Sequence, residues 1–315
     1  MTAGLQPAIL ASGLTKSFPG VRAVDALSFD VHAGEIFGLV GPDGAGKTTT
    51  LRMLAGIMAP DAGQAHVAGF DVVRDPEGAK HALSYMPQRF GLYEDLTVDE
   101  NIRFYSDLFG VSRNERETRS AQLLVAAGMS EFRKRMAGKL SGGMKQKLGL
   151  VCALIHRPKV ILLDEPTTGV DPVSRRDFWR ILYELIAEGV AILTSTAYLD
   201  EAERCHRVAL MHQGKLLFCS TPADLKSSFS KGVLSVSSAE PRSLRAELEG
   251  AEGISSLVMT GDGVHVVVDD AARRIPEFQA RLKAANVAFD AIQQVAPSIE
   301  DLFVDAVAGG AVSHA

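Results

Sequence analysis

Three cysteines in 315 residues, Cys152, Cys205 and Cys219, are too few and too scattered for a disulfide scaffold, and none stands in a CxxC or zinc-ligand spacing. They read as small core hydrophobes, and the sparse, odd count suits a reducing cytosol. The eight histidines form no HExxH or paired metal spacing either. Basic charge is not in excess: 33 Lys and Arg against 38 Asp and Glu leave a net charge of −5, with the basic residues dispersed. That excludes the positive field which nucleic-acid binding through counterion release requires. No apolar run approaches the ~18 residues of a membrane span, and no start segment joins a basic region to an apolar stretch of ~7–15 residues. With 46% apolar residues, the chain has material for one large core and one small one. The expectation is a soluble protein, or one held at a membrane by its partners.

What is present is a phosphate cradle. Gly41-Pro42-Asp43-Gly44-Ala45-Gly46-Lys47-Thr48-Thr49 follows Ile36–Val40, an uncharged run that reads as a buried strand. After it, Leu51, Leu54 and Ala55 recur at helical spacing until Gly56 offers a C-cap. In this Walker A context Gly41, Gly44 and Gly46 let backbone N–H groups converge on phosphate oxygens at a helix N-terminus. Lys47 reaches the β- and γ-phosphates, the Thr48 hydroxyl ligates Mg²⁺, and Thr49 makes a second phosphate contact. Upstream, Ile9-Leu10 and the alternating Ala26–Val31 read as an antiparallel flap beside the cradle. Phe18 ends its first strand, placed either to stack on an adenine ring or to close the strand as a core residue.

Further along, Ala82–Met86 reads as a core strand stopped by Pro87. Gln88 then stands where an amide ligates Mg²⁺ or orients water, the alternative being a turn-forming polar residue. The loop Phe90-Gly91-Leu92-Tyr93 is apolar and marks a binding groove for a partner. Thr97 and Glu100 form a capping box, and amphipathic patterns over Arg103–Phe109 and Glu115–Ala127 predict an all-helical insertion. Ser141 is a natural N-cap for a helix reaching about Ile155, and Gly142 and Gly143 let an anion approach its amides closely. The first site does not need this second N-terminus, so it is free to serve another subunit's nucleotide. Val160–Leu163 is a continuous apolar run, the mark of a parallel strand buried on both faces, and it delivers Asp164 and Glu165 at its end. Asp164 holds Mg²⁺ directly or through water, and Glu165 acts as general base on the water attacking the γ-phosphate. Asp171-Pro172 has the cap and first-position signature of a helix reaching about Ala187. Val190–Leu193 is the next buried strand, leading into Thr194-Ser195-Thr196-Ala197, and a hairpin of Val208–Met211 with Lys215–Phe218 closes the first domain.

In this order, the Walker A stretch, Gln88, Leu140-Ser141-Gly142-Gly143, Asp164-Glu165 and the Asp171 loop resemble the ATP-binding cassette family over residues 8 to about 230. The resemblance implies an α/β fold: a P-loop NTPase core with an antiparallel β flap, an α-helical subdomain at about 89–158 and a small C-terminal α/β appendage. The expected division is a nucleotide-binding domain over 1–230 and the appendage over 231–315. It also implies ATP and Mg²⁺, and two cassettes meeting head to tail so that Ser141, Gly142 and Gly143 contact the partner's ATP. Asp171 then belongs to the D-loop, and catalysis falls to Glu165, Lys47 and Gln88, with Thr48, Gln88 and Asp164 on the metal. Asp43 and Met144 depart from the family's commoner asparagine and glutamine, and Ala197 replaces its switch histidine. The appendage is expected as strands near 233–237, 255–260 and 263–268, a helix over Ala271–Ala285 and a strand near 287–293. Its end, Pro297–Phe303, is similar to the tail of ATPase subunits in drug and antibiotic exporters. The resemblance therefore implies an exporter's ATPase at the cytoplasmic face of the membrane, bound to separate permease subunits and to a second cassette that has the histidine, with no nucleic acid involved. Importer ATPases, non-transport cassettes and a binding module with dead catalysis are the alternatives. The exporter-like tail opposes the first, the single cassette without a basic arm the second, and Lys47, Asp164 and Glu165 the third.

Overall fold

The computed structural model describes residues 6–89 and 91–309. Contact density divides the chain into two units: one runs to Tyr198 and adds Cys205–Leu216, the other comprises Leu199–Arg204 and the chain from Leu217 on. This division falls before the 230/231 boundary expected from the sequence.

In the first unit, β1 (Ile9–Phe18) and β2 (Val21–Val31) pair antiparallel from Ile9↔Val31 to Phe18↔Val21. Ile9, Leu14, Leu27 and Val31 are fully buried, the inward half of the alternating pattern. β3 (Ile36–Val40) is buried at every residue and leads through the glycine loop into α1 (Lys47–Leu54). Next come β4 (Ala62–Val67), β5 (Phe70–Asp71), α2 (Pro76–Ala82) and β6 (Leu83–Met86). The flap is the four-stranded sheet β2-β1-β4-β5.

The helical insertion contains α3 (Val98–Leu108), α4 (Arg113–Ala126) and α5 (Gly142–Leu154). Thr97 with Glu100 and Ser112 with Glu115 close complete capping boxes, satisfying the first orphan N–H groups of α3 and α4. After α5 come β7 (Val160–Asp164), α6 (Pro172–Ala187), β8 (Ala191–Thr196), α7 (Leu199–Ala202), β9 (Arg207–His212) and β10 (Lys215–Ser220).

The central sheet has the order β10-β9-β3-β8-β7-β6. β6, β7, β8, β3 and β9 run parallel, so their carboxyl ends share one edge. The register sets Val40 beside Thr196 and Asp164 beside Ser195, which puts the glycine loop and the Asp164-Glu165 pair at that edge. Cys152 and Cys205 are buried and Cys219 is half-buried, none of them in a disulfide, and burial pushes the Cys152 thiol up.

The second unit adds α8 (Pro222–Ser228), β11 (Gly232–Ser237), α9 (Pro241–Leu248), β12 (Ile254–Met259), β13 (Gly263–Val268), α10 (Ala271–Ala284), β14 (Ala291–Val295) and α11 (Ile299–Ala308). Its antiparallel sheet has the order β12-β13-β11-β14. Leu234, Val236, Val264 and Val266 meet Leu244, Leu248, Phe278 and Leu282 in its core. α11 packs on β12, α7 and α8, which is why residues from Leu217 on group with the appendage. Two expectations are corrected. α2 and α9 are helices where none was expected, and the last strand lies at Ala291–Val295 rather than 287–293. The Val287 N–H closes the preceding helix on the Leu282 carbonyl at 2.9 Å, so the apolar 287–289 segment reaches the core as a connector.

At the foot of α11, fully buried Asp301 lies 3.2 Å from His265 Nδ1 and accepts from the Ser298 backbone and hydroxyl at 2.8 and 2.7 Å. The Asp301 bond, against the opposing effect of burial, raises His265 above its ordinary 6.5, with Asp262 and Glu300 adding to it. Burial acts to raise Asp301, but the bonds from His265 and Ser298 outweigh it and hold the carboxyl below 3.8. A raised histidine stabilises fully below its unfolded pKa and loses that contribution as pH rises through the folded value; a lowered aspartate loses its own as pH falls. The pair therefore stabilises this unit most between about pH 4 and 6.5, with loss beginning above that as His265 deprotonates. We expect stability to urea to fall by roughly 1 kcal/mol between pH 6 and 9, and His265→Gln to flatten that dependence. An unchanged slope in the variant would locate the titration elsewhere.

Candidate active site

The glycine loop is shaped by what surrounds it. Gly41 donates its N–H to the Thr196 carbonyl at 3.2 Å, and a Cβ there would collide with the Met211 carbonyl. Gly46 has φ +103°, and a Cβ on it would run into the Ala23 carbonyl. Gly46 is also the N-cap of α1 and offers no side-chain acceptor, so the first-turn amides are left for an anion. These two glycines and the uncapped helix end fit a phosphate group.

Lys47 is 4% exposed; its ammonium donates to the Gly41 and Pro42 carbonyls at 2.7 and 3.1 Å and lies 3.2 Å from Glu165 Oε1. Thr48 Oγ1 donates to Asp164 Oδ1 at 3.0 Å, and Gln88 Nε2 donates to Glu165 Oε2 at 3.1 Å. Side chains from the α1 head, the β6 end and the β7 end thus form one connected site. A cleft of about 470 Å³ opens over it, lined by Phe18, Val21 and Ala23, by residues 43–49, and by Gln88 and Glu165. Phe18 is 42% exposed at the end of β1, so its ring faces the cleft rather than the core. The Thr48 hydroxyl, the Asp164 carboxylate and the Gln88 amide are hard oxygen donors, a set that suits Mg²⁺ completed by phosphate and water. Among the described residues, no group of three His, Cys, Asp or Glu side chains offers another metal site.

Two participants are not marked by any sequence motif. Ser195 Oγ donates to Asp164 Oδ1 at 2.7 Å, and Tyr85 OH donates to Asp164 Oδ2 at 3.3 Å. Burial, then the Asp164 charge, pushes the Tyr85 hydroxyl up to about 12, so it stays a donor at any physiological pH. Both meet Asp164 only because β6 and β8 flank β7.

Ser141, Gly142, Gly143 and Asp171 do not line the cleft. Ser141 caps α5 by accepting from the Met144 N–H at 3.3 Å; Ser141 and Gly142 are exposed or nearly so at the helix head, while Gly143 is packed against Ser174. Asp171 caps α6 at 2.9 Å from the Ser174 N–H, a bond that holds its carboxyl below the usual range. Ala197 is exposed just past β8, and the Tyr198 ring lies under the Arg175 guanidinium at 4.7 Å. Phe90 lies outside the described residues. Leu92 is half-buried, and Tyr93 is 46% exposed with its ring edge-on to Phe104. The apolar hollow itself lies beside this loop rather than on it: about 280 Å³ lined by Ala55, Ile57, Leu83, Tyr105, Leu108 and Phe109 among others. Tyr105 ties the two together by donating to the Gly91 carbonyl at 2.7 Å.

The parallel sheet with its phosphate cradle, antiparallel flap and helical insertion defines a P-loop ATP-binding cassette. Residues 24–168 match the family model described as "ABC transporter". The chain is 45% identical over 97% of its length to "Probable multidrug ABC transporter ATP-binding protein YbhF" of Escherichia coli, and spans 53% of that relative, about half. It is 40% identical to "Daunorubicin/doxorubicin resistance ATP-binding protein DrrA" of Streptomyces peucetius, over 77% of this chain and 73% of that one. A solved structure titled "Structure of ATP binding subunit of ABC transporter" superposes with a TM-score of 0.65 at 31% identity, covering 70% of this chain and 93% of that one. The chain belongs to the ABC transporter family, as an ATP-binding cassette.

Proposed function

We propose that this chain is the ATP-hydrolysing subunit of an ABC exporter, working as one half of a cassette dimer on separate permease subunits. The observation that carries it is the site formed by Lys47, Glu165, Gln88, Asp164 and Thr48 at the head of α1. ATP lies in the cleft with its adenine against Phe18 and its phosphates on residues 41–49, Lys47 taking the β- and γ-oxygens. The Lys47–Glu165 pair joins the two groups that the reaction uses separately. When the γ-phosphate takes Lys47, the Glu165 carboxylate is released to accept a proton from water, whose oxygen bonds to phosphorus as the β–γ bridge breaks. Thr48, Asp164 and Gln88 would hold Mg²⁺, which when bound would neutralise charge on the phosphate oxygens. Ser141, Gly142 and Gly143, at the N-terminus of α5, complete the site of the facing cassette.

The export direction rests on the printed names of YbhF and DrrA, proteins called multidrug and drug-resistance subunits, and on the exporter-like tail that forms α11. No described helix is long and apolar enough to cross a membrane. In the proposed assembly a separate permease forms the passage, with this chain at its cytoplasmic face. We place that contact at the apolar hollow and its neighbouring loop, where Ile57, Leu108 and Tyr93 are 60%, 65% and 46% exposed. Leu108→Glu and Tyr93→Glu should each change the stability of the isolated chain by about 1 kcal/mol or less, yet abolish co-purification with the permease. A large drop in melting temperature would show these residues to be core. Phosphate release from Mg·ATP by the purified chain, and its loss in Lys47→Ala, tests the reading as a whole.

A further inference from the structure

Asp164 and Glu165 share one neighbour. Ser195 is fully buried on β8, in register with Asp164 on β7. Its hydroxyl gives its single proton to Asp164 Oδ1 at 2.7 Å and accepts the Glu165 backbone N–H at 3.0 Å. The direction is fixed, because an ionised carboxylate only accepts and a backbone N–H only donates. Thr48 donates to the same Oδ1 at 3.0 Å, so the carboxylate is turned with Oδ2 as its freer oxygen, met by Tyr85 at the longer distance of 3.3 Å. Glu165 has φ +47°, a left-handed backbone that a non-glycine side chain adopts only when its surroundings hold it there. The bond from its N–H, shared between Ser195 Oγ and the Ser195 carbonyl at 3.2 Å, is part of that hold. One residue further back, Thr194 is equally buried, and its Oγ1 has no hydrogen-bond partner among the described residues.

We propose that Ser195 is a positioning residue for the hydrolytic step: one hydroxyl sets both the rotation of the metal-binding Asp164 carboxylate and the backbone that aims Glu165. This rests on the ATPase reading above. Ser195→Ala leaves Asp164 Oδ1 to Thr48 alone and removes a charge-assisted bond. The effect falls on metal-dependent steps, because no phosphate-cradling atom is touched.

The test compares the parent chain with Ser195→Ala, Ser195→Cys and Thr194→Val, titrating each with ATPγS in EDTA and then with Mn²⁺ at fixed ATPγS, alongside steady-state hydrolysis. For Ser195→Ala, nucleotide affinity in EDTA should stay within about twofold of the parent, while the Mn²⁺ needed for half-saturation rises, and kcat falls, by roughly ten- to hundredfold. Ser195→Cys, similar in size but a weaker donor, should fall between and serves if the alanine variant does not fold. Thr194→Val should match the parent in every measurement. The proposal is overturned if the Ser195 variants keep the parental Mn²⁺ requirement. It is equally overturned if they lose affinity by the same factor with and without metal, or if Thr194→Val shows the same loss. A parent that binds Mn·ATPγS without turnover would end the hydrolysis reading, yet the Mn²⁺ titration would still decide the role of Ser195.

Discussion

Glu165→Gln should lower ATP hydrolysis by about 10²–10⁴-fold while nucleotide binding persists, the usual contribution of a positioned general base. Glutamine is nearly the same size and can still accept the Gln88 amide bond seen at 3.1 Å, so the cleft keeps its shape. It cannot take a proton from water. It also dissolves the ion pair with Lys47, seen at 3.2 Å, which the γ-phosphate otherwise has to displace. The variant should therefore bind ATP at least as tightly as the parent and accumulate with ATP trapped in the closed dimer. Binding of a fluorescent ATP analogue and single-turnover phosphate release check both halves. Hydrolysis at the parental rate would assign the base to another group, and weakened binding would mean that the Lys47–Glu165 pair supports the cradle instead of competing with phosphate.

Ala197→His should raise the turnover of the purified chain by up to about 10²–10³-fold, the typical worth of one preorganised donor to developing charge. Ala197 is exposed immediately after β8, so an imidazole there displaces no core packing. Tyr198 does not stand in readily for the missing group: its ring is engaged by Arg175 at 4.7 Å, and its N–H is held by Thr196 Oγ1 at 3.0 Å. On the proposed reading, a dimer of two such chains turns over slowly at both sites. On the same reading the proposed partner is a cassette that has the histidine, with Ser141–Gly143 of this chain completing that partner's site. Steady-state assays of parent and variant decide the matter. Brisk parental turnover that the histidine leaves unchanged would remove the argument for an asymmetric pair.

Strongly periodic segments are legible in the sequence alone. Ile36–Val40 and Val160–Leu163 are uncharged runs and form buried strands, and Thr97 and Ser298 announce the helices they cap. Elements with few apolar residues are not. α2, with sequence PEGAKHA, buries only Ala79, and α9 buries only Leu244 and Leu248, too little periodicity to separate a helix from a loop. The boundary between the two units departs from its expected place for a related reason. The composition changes near 232, but packing of α8 and α7 on α11 decides which core they join.

The same distinction runs through the site. Residues 41–49 are contiguous, so their glycine spacing alone dictates a loop whose amides are open to a phosphate, and the sequence by itself determined the P-loop class. Gln88 and the Asp164-Glu165 pair are recognisable because strand ends advertise themselves locally. Ser195 and Tyr85 lie 31 and 79 positions from Asp164, on strands that become its neighbours only through the sheet order β8-β7-β6. Nothing local marks a buried serine as a hydrogen-bond bridge while the Thr194 hydroxyl beside it has no partner among the described residues, since both side chains carry a hydroxyl and both are buried. Alternation along β8 and its register against β7 turn one hydroxyl toward the carboxylate and the other away, and that choice belongs to the tertiary structure alone.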